Sequence, residues 1–178
     1  MIAGSSPADG APGTEPFLWH WPDEAACAAC AATLAHRLAA AREERPEAAD
    51  LTIELQGPLG AGKTTFVRHL LRALGVPGRI KSPTYTVVEP YRVEAGPGKA
   101  GLDIFHFDFY RFADARELVD AGLRETFAAP GLKLVEWPAR AGPWLPVPDL
   151  RLEIEPQADE GRLVRVRANT PRGEALLR

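Results

Sequence analysis

The chain alternates between two kinds of apolar spacing. Apolar residues recur at every second position, or run unbroken, over 51–55, 84–93, 102–109, 132–135, 150–155 and 163–168, and these segments read as strands. The segment 84–93 is also rich in β-branched and aromatic residues. Helical spacing appears where Ala26, Cys30, Leu34 and Leu38 form a stripe on a helix that Asp23 caps and that runs to about Arg42. A second amphipathic helix covers 64–74 and stops at Gly75, with Pro77 just beyond. The charged run 42–46 and the stretch 79–83 read as connectors, and 117–127 as one or two short helices broken near Gly122. Turn residues at 94–101 and 157–161 fold the strands on either side into hairpins. Strands interleaved with helices and hairpins predict an α/β, three-layer domain with a mixed parallel/antiparallel sheet. No internal repeat or domain boundary interrupts it, so 16–178 is expected to be one domain, preceded by a disordered tail over 1–15.

Composition narrows the class. A chain of 178 residues with 46% apolar and 25% charged residues can bury one sizeable core. No apolar run approaches the ~20 residues that span a bilayer, and the first fifteen residues lack the basic and apolar regions of a signal peptide. Net charge −3 argues against a protein that binds nucleic acid alone. Cys27 and Cys30 are the only cysteines and fall in an alanine-rich helical stretch, so they read as small apolar side chains in a reducing cytoplasm. Arg162, Arg165 and Arg167 read as a row along one strand face, most simply a solvated edge.

The strongest chemical signal is Gly57-Pro58-Leu59-Gly60-Ala61-Gly62-Lys63-Thr64-Thr65, which fits G-x-x-x-x-G-K-[ST] between a predicted strand and a predicted helix. Glycines at 57, 60 and 62 let the backbone curl so that amides, including those of Ala61 and Thr65, point inward at an anion. Lys63 is placed to reach the β- and γ-phosphates, and the Thr64 hydroxyl to ligate Mg²⁺. The fold is therefore expected to be P-loop NTPase-like, with a nucleoside triphosphate and Mg²⁺ as its ligands.

Hydrolysis needs more than this loop. Glu136, directly after the strand 132–135, is expected to be the metal-side acid opposite Thr64. In 106–111 the alternation puts His106, Asp108 and Tyr110 on one strand face and the phenylalanines on the other. Asp108 is expected to orient or deprotonate the attacking water, and Arg111 to give charge to the transferring phosphate. In Lys81-Ser82-Pro83-Thr84 the hydroxyls, Thr84 among them, are free to touch phosphate or magnesium, as in a nucleotide-sensing switch.

Four blocks together resemble one family, the bacterial TsaE ATPase subunit of the tRNA threonylcarbamoyladenosine machinery. They are the loop from Gly57 to Phe66, Lys81-Ser82-Pro83-Thr84-Tyr85-Thr86 with Glu89-Pro90-Tyr91, His106-Phe107-Asp108-x-Tyr110-Arg111, and Val135-Glu136-Trp137-Pro138. The resemblance covers about 21–156. It implies a small ATPase that joins the threonylcarbamoyl-transferase subunit and a companion protein in modifying the adenosine next to the anticodon; with no lid and no second-substrate motif in the chain, its activity alone is expected to be weak. tRNA is reached through that complex, and turnover resets the transferase. It also implies that Thr64 and Glu136 hold Mg²⁺, that 60–65 wraps the phosphates, that Asp108 serves hydrolysis and that Trp137 lies near the nucleotide. Two positions depart from the family: Pro58, where Asp is frequent, and Cys27, where many members carry Thr near the expected adenine pocket.

Three other readings compete with this one. A small-molecule kinase needs an Arg-bearing lid and a second-substrate cleft, and neither stands out. A GTPase lacks support, because Asn169 is the only Asn and no N-K-x-D or D-x-x-G motif exists. A nucleotide-gated binding module shares every site residue and differs only in whether turnover is needed.

Overall fold

The computed structural model describes residues 15–95, 101–114, 116 and 122–178. The tail expected over 1–15 therefore lies outside the described residues except for Glu15, as do 96–100 of the first turn and 117–121 of the predicted short helices. The elements are β1 (Phe17–Trp21), α1 (Glu24–Glu44), β2 (Leu51–Gln56), α2 (Lys63–Ala73), β3 (Val88–Val93), β4 (Leu102–Asp108), α3 (Leu123–Ala128), β5 (Leu132–Glu136), α4 (Pro138–Ala141), β6 (Leu150–Pro156), β7 (Arg162–Ala168) and α5 (Pro171–Leu177). Single 3₁₀ turns follow α1 and α4.

Seven strands form one sheet in the order β1-β7-β6-β2-β5-β4-β3. The centre is parallel, with β2 between β6 and β5, and β5 beside β4. Antiparallel partners close both flanks, β3 on β4 at one end and β7 and β1 beyond β6 at the other. This is the α/β fold with a mixed sheet that the sequence predicts. All five residues of β5 are buried, as expected for a parallel strand covered on both faces.

One face of the sheet carries α1, α2 and α5 over a core that includes Leu34, Leu38, Phe66, Leu70 and Leu134. Near β4 and β5 the other face carries a smaller aromatic cluster of Phe107, Phe109, Phe112 and Leu123, with Phe127 stacked 4.2 Å from Phe107. Over β6 and β7 that second face is a ladder of ion pairs, Arg151–Glu54 at 3.0 Å, Arg165–Glu155 at 2.8 Å and Arg167–Glu153 at 3.7 Å.

Several sequence expectations are corrected. The side of α1 that faces the core runs through Cys27, Ala31, Leu34 and Leu38; Ala26 and Cys30 lie beside it, half-buried. The strand expected from 84 begins only at Val88. Residues 84–86 form a turn, Val87 takes a positive φ of 67°, and its N–H donates to the Pro83 carbonyl at 2.7 Å. Strand-forming composition loses there to the fixed backbone of Pro83 and to a side-chain bond from Thr84 described below. Neither β1, over Phe17–Trp21, nor α5, opened by Thr170 and Pro171, was expected from the sequence. The arginine row also divides. Residue parity puts Arg165 and Arg167 in the ion-pair ladder and Arg162 on the opposite face, and β7 is an interior strand, not an edge.

Candidate functional site

The loop 57–62 leaves the C-terminal end of β2 and opens α2, and the close fit of backbone on backbone dictates its glycines. A Cβ on Gly57, where φ is 150°, would stand 2.5 Å from the Ile154 carbonyl oxygen of β6. Gly62 caps α2 in the left-handed region at φ 107°, where an L side chain is strained. Under this loop Lys63 is almost fully buried, and its Nζ donates to the carbonyls of Gly57 and Pro58, both at 2.8 Å. The ammonium also lies 3.8 Å from the centre of the Trp137 ring. Burial pulls its pKa below the ordinary lysine range, while the carboxylates of Glu136 and Asp108 pull it partly back up.

Strand register brings the acids together. In the parallel ladders Glu136 lies beside Leu55 on one side and Asp108 on the other, so both carboxylates emerge next to the end of the strand that carries the loop. Both oxygens of the buried Glu136 are engaged. The Thr64 hydroxyl donates to Oε2 at 2.9 Å, and His106 Nε2 is 2.8 Å from Oε1. A carboxylate only accepts, so Nε2 carries the hydrogen. Nδ1 of the fully buried His106 has no hydrogen-bond partner among the described residues. Asp108 is held as firmly, with Oδ2 accepting from Thr84 Oγ1 and Oδ1 from the Tyr110 amide, each at 2.9 Å. Thr84 spends its only proton on Asp108, so Ser82 donates to it across 2.7 Å.

A cavity of about 310 Å³ lies in front of these groups, and Lys63, Thr64, Thr84, Asp108, Glu136 and Trp137 help to line it. Trp137 follows β5 with φ 57°, which turns its indole back over Lys63 and 5.0 Å from the ring of Tyr110. A second cavity of about 190 Å³ lies on the other side of the loop, where Trp21, Asp23, Cys27, Ala61, Glu160 and Arg162 meet. Gly60, Gly62 and Thr65 border both. Burial, with Cys30 and then Glu24 adding to it, pushes the Cys27 thiol up to about 12. That is the small apolar side chain the sequence predicts, since a thiolate is strongly disfavoured there.

Most of the predicted site residues thus converge on one loop. Gly57 does so from beneath, through its carbonyl. Arg111 does not join them, because its exposed guanidinium is stacked 4.2 Å over the ring of Tyr85. Tyr110 lies past the end of β4, so it shares the cavity without sharing a strand face with His106 and Asp108. Two contacts were missed, that of His106 with Glu136 and that of Arg162 with the loop. The first was signalled by a polar side chain at a position with the parity of Leu102 and Ile104, and the second by the odd spacing of Arg162 from Arg165.

Among the described residues no helix is long and apolar enough to cross a membrane. The family model described as threonylcarbamoyl adenosine biosynthesis protein TsaE matches residues 21–164. The tRNA threonylcarbamoyladenosine biosynthesis protein TsaE of Haemophilus influenzae is 39% identical over 127 residues, which are 71% of this chain and 76% of that protein. The protein of the same name from Bacillus subtilis is 36% identical over 70% of this chain and 73% of its own. The crystal structure of Bacillus subtilis YdiB superposes with a TM-score of 0.67 and 27% identity over 92% of each chain. The motifs, the sheet that carries them and these likenesses agree, and the chain belongs to the TsaE family of threonylcarbamoyl adenosine biosynthesis proteins.

Proposed function

We propose that this protein binds and hydrolyses ATP with Mg²⁺ as an accessory subunit of the tRNA threonylcarbamoyladenosine machinery, where turnover resets or regulates the transferase. The observation that carries this reading is the convergence of a phosphate-type loop, the Thr64–Glu136 pair and Asp108 on one cavity. Partners are the threonylcarbamoyl-transferase subunit and its companion, with tRNA met through that assembly in the cytoplasm. The chain is read as one catalytic domain over 16–178.

The donor set suits magnesium. Thr64 Oγ1 and Glu136 Oε2 are hard oxygen donors side by side at the cavity wall. No group of three His, Cys, Asp or Glu among the described residues forms a cage for a metal. Magnesium takes one or two protein oxygens and completes its shell with phosphate and water. When bound it supplies charge to the phosphate oxygens.

The chain's own groups do the rest. Lys63 exchanges its two carbonyl partners for phosphate oxygens, a stronger acceptor for an ammonium. Amides at 60 and 62–65 and the N-terminus of α2 hold the anion; the Ala61 amide, expected among them, donates instead to the Pro58 carbonyl at 3.2 Å. His106 keeps Glu136 turned so that one oxygen faces Thr64. Asp108, fixed by Thr84 and the Tyr110 amide, accepts a hydrogen bond from the attacking water and orients it. Trp137 closes the cavity above Lys63. Arg111, on Tyr85, would reach a phosphate only by leaving that ring.

Calorimetry with ATP and Mg²⁺, followed by phosphate release with and without the two partner proteins, tests the reading. The expected result is binding alone, slow turnover alone and faster turnover with partners. Absence of binding overturns it, and rapid phosphate transfer to a small metabolite replaces it with a kinase.

A further inference from the structure

Arg162 is the first residue of β7, opposite Trp21 on one side and Pro156 on the other. Its side chain crosses to the phosphate-type loop. Nε donates to the Ala61 carbonyl at 2.9 Å and Nη2 to the Gly60 carbonyl at 3.4 Å. Nη1 donates to the carbonyls of Gly161, at 2.9 Å, and Glu160. All the bonds it makes among the described residues therefore end on backbone oxygens. Arg165 and Arg167, further along the same strand, are paired with glutamates instead.

A guanidinium whose planar fork meets two successive carbonyls fixes the peptide planes to which they belong. In a planar trans peptide the C=O and N–H point opposite ways. Holding the Ala61 carbonyl toward Arg162 turns the Gly62 amide away from it, to the side where Lys63 and Thr64 line the larger cavity. This is also where the loop is softest, because Gly60 and Gly62 both have positive φ and no side chain to brace them. The Ala61 amide is already tied to Pro58 at 3.2 Å, which leaves the next peptide to be held from outside.

We infer that Arg162 is a positioning residue that clamps the outer carbonyls of the loop, so that the Gly62 amide is pre-set for a polyphosphate. The inference rests on the reading of this loop as a phosphate site. Pre-setting lowers the ordering cost of binding, and loses its effect when the fork is replaced. The clamp acts on the phosphate chain and is indifferent to the nucleoside.

The test measures affinity for magnesium tripolyphosphate and for magnesium ATP in the full chain, in Arg162→Gln, in Arg162→Lys and in Lys63→Ala. Thermal melting is measured alongside. Both Arg162 variants are expected to bind both ligands about tenfold or more weakly, by the same factor, with melting little changed. Lysine keeps the charge and most of the stem but not the fork, so a folded Arg162→Lys protein carries the test if the Gln variant is unstable. Weaker ATP binding with unchanged tripolyphosphate binding would assign Arg162 to the nucleoside and overturn the clamp. Unchanged affinity for both, with Lys63→Ala impaired, overturns the clamp alone. If Lys63→Ala also binds normally, the phosphate-site reading fails with it.

Discussion

The two wings of the sheet beside β2 are built from similar strands and used in opposite ways. In β6 the inward positions are Leu150, Leu152 and Ile154, and the outward ones are Arg151, Glu153 and Glu155. The alternation holds to the end, and the charged side chains pair in an open ladder. In β4 it inverts midway. Leu102 and Ile104 face the core, but His106 and Asp108 take the next two inward positions, and Phe105 and Phe107 turn outward into the aromatic cluster. Neighbouring β5 does the same in one step, from Leu134 to Glu136. Polar groups in a core cost free energy unless they are bonded, and these are bonded to one another and to Thr64 and Thr84. An inversion of alternation close to the carboxyl end of a strand is thus the mark of a site, and an uninterrupted alternation the mark of a surface.

Substitutions can break or sharpen this contrast. The largest effect is expected on the inverted wing, where Glu136→Ala should abolish magnesium-dependent phosphate release and leave nucleotide binding measurable by calorimetry. Turnover near the normal rate would remove Glu136 from the metal side. Next is the loop between the wings. Lys63→Ala should cost about 1.5–3 kcal/mol of ATP affinity, read by titration, because a charge-assisted contact to phosphate is lost.

A smaller effect, dependent on pH, is expected at Glu54, which points into the ladder from β2. Burial raises its pKa, against the opposing pull of Arg151. The folded protein therefore holds this proton more tightly than the unfolded chain, and ionising it costs stability as pH rises through the window between the two pKa values. Glu54→Gln should gain stability relative to the parent at pH 7, and the gain should vanish as pH falls below the ordinary glutamate range of about 4.3. Melting curves across pH 4–7 would show it, and a constant difference would refute it. The smallest effect belongs to the exposed ladder. Arg165→Ala should change unfolding free energy by about 1 kcal/mol or less, read from urea titrations, with ATP turnover untouched.

Much of this was legible from residue types alone. The loop, its flanking strand and helix, Glu136 after a short apolar strand and the split of His106 and Asp108 from the phenylalanines all follow from local pattern. What was not legible depends on partners distant in the chain. The strand at 84–93 starts late because Thr84 is drawn to Asp108, 24 residues away. Five residues of β1 make a strand only because β7 offers an edge. Arg162 was grouped with Arg165 and Arg167 by composition, whereas counting in twos would have separated it. Arg111 follows Tyr110 in a motif, yet its guanidinium rests on an aromatic ring that the turn at 84–86 supplies. The missed α5 had a readable start in Thr170-Pro171, and its cap is tied to Asp149, whose other oxygen accepts from the Thr52 amide at 2.9 Å.

The indole that covers the lysine has a practical consequence. Among the described residues, Trp137 is the one of the four tryptophans with an ammonium centred on its ring, and that ammonium is the group expected to move when a triphosphate arrives. Its emission should respond to occupancy, making the native chain its own optical gauge. Replacing Trp19, Trp21 and Trp144 with phenylalanine would isolate the signal, and nucleotide arrival and departure could then be timed in stopped flow without a dye.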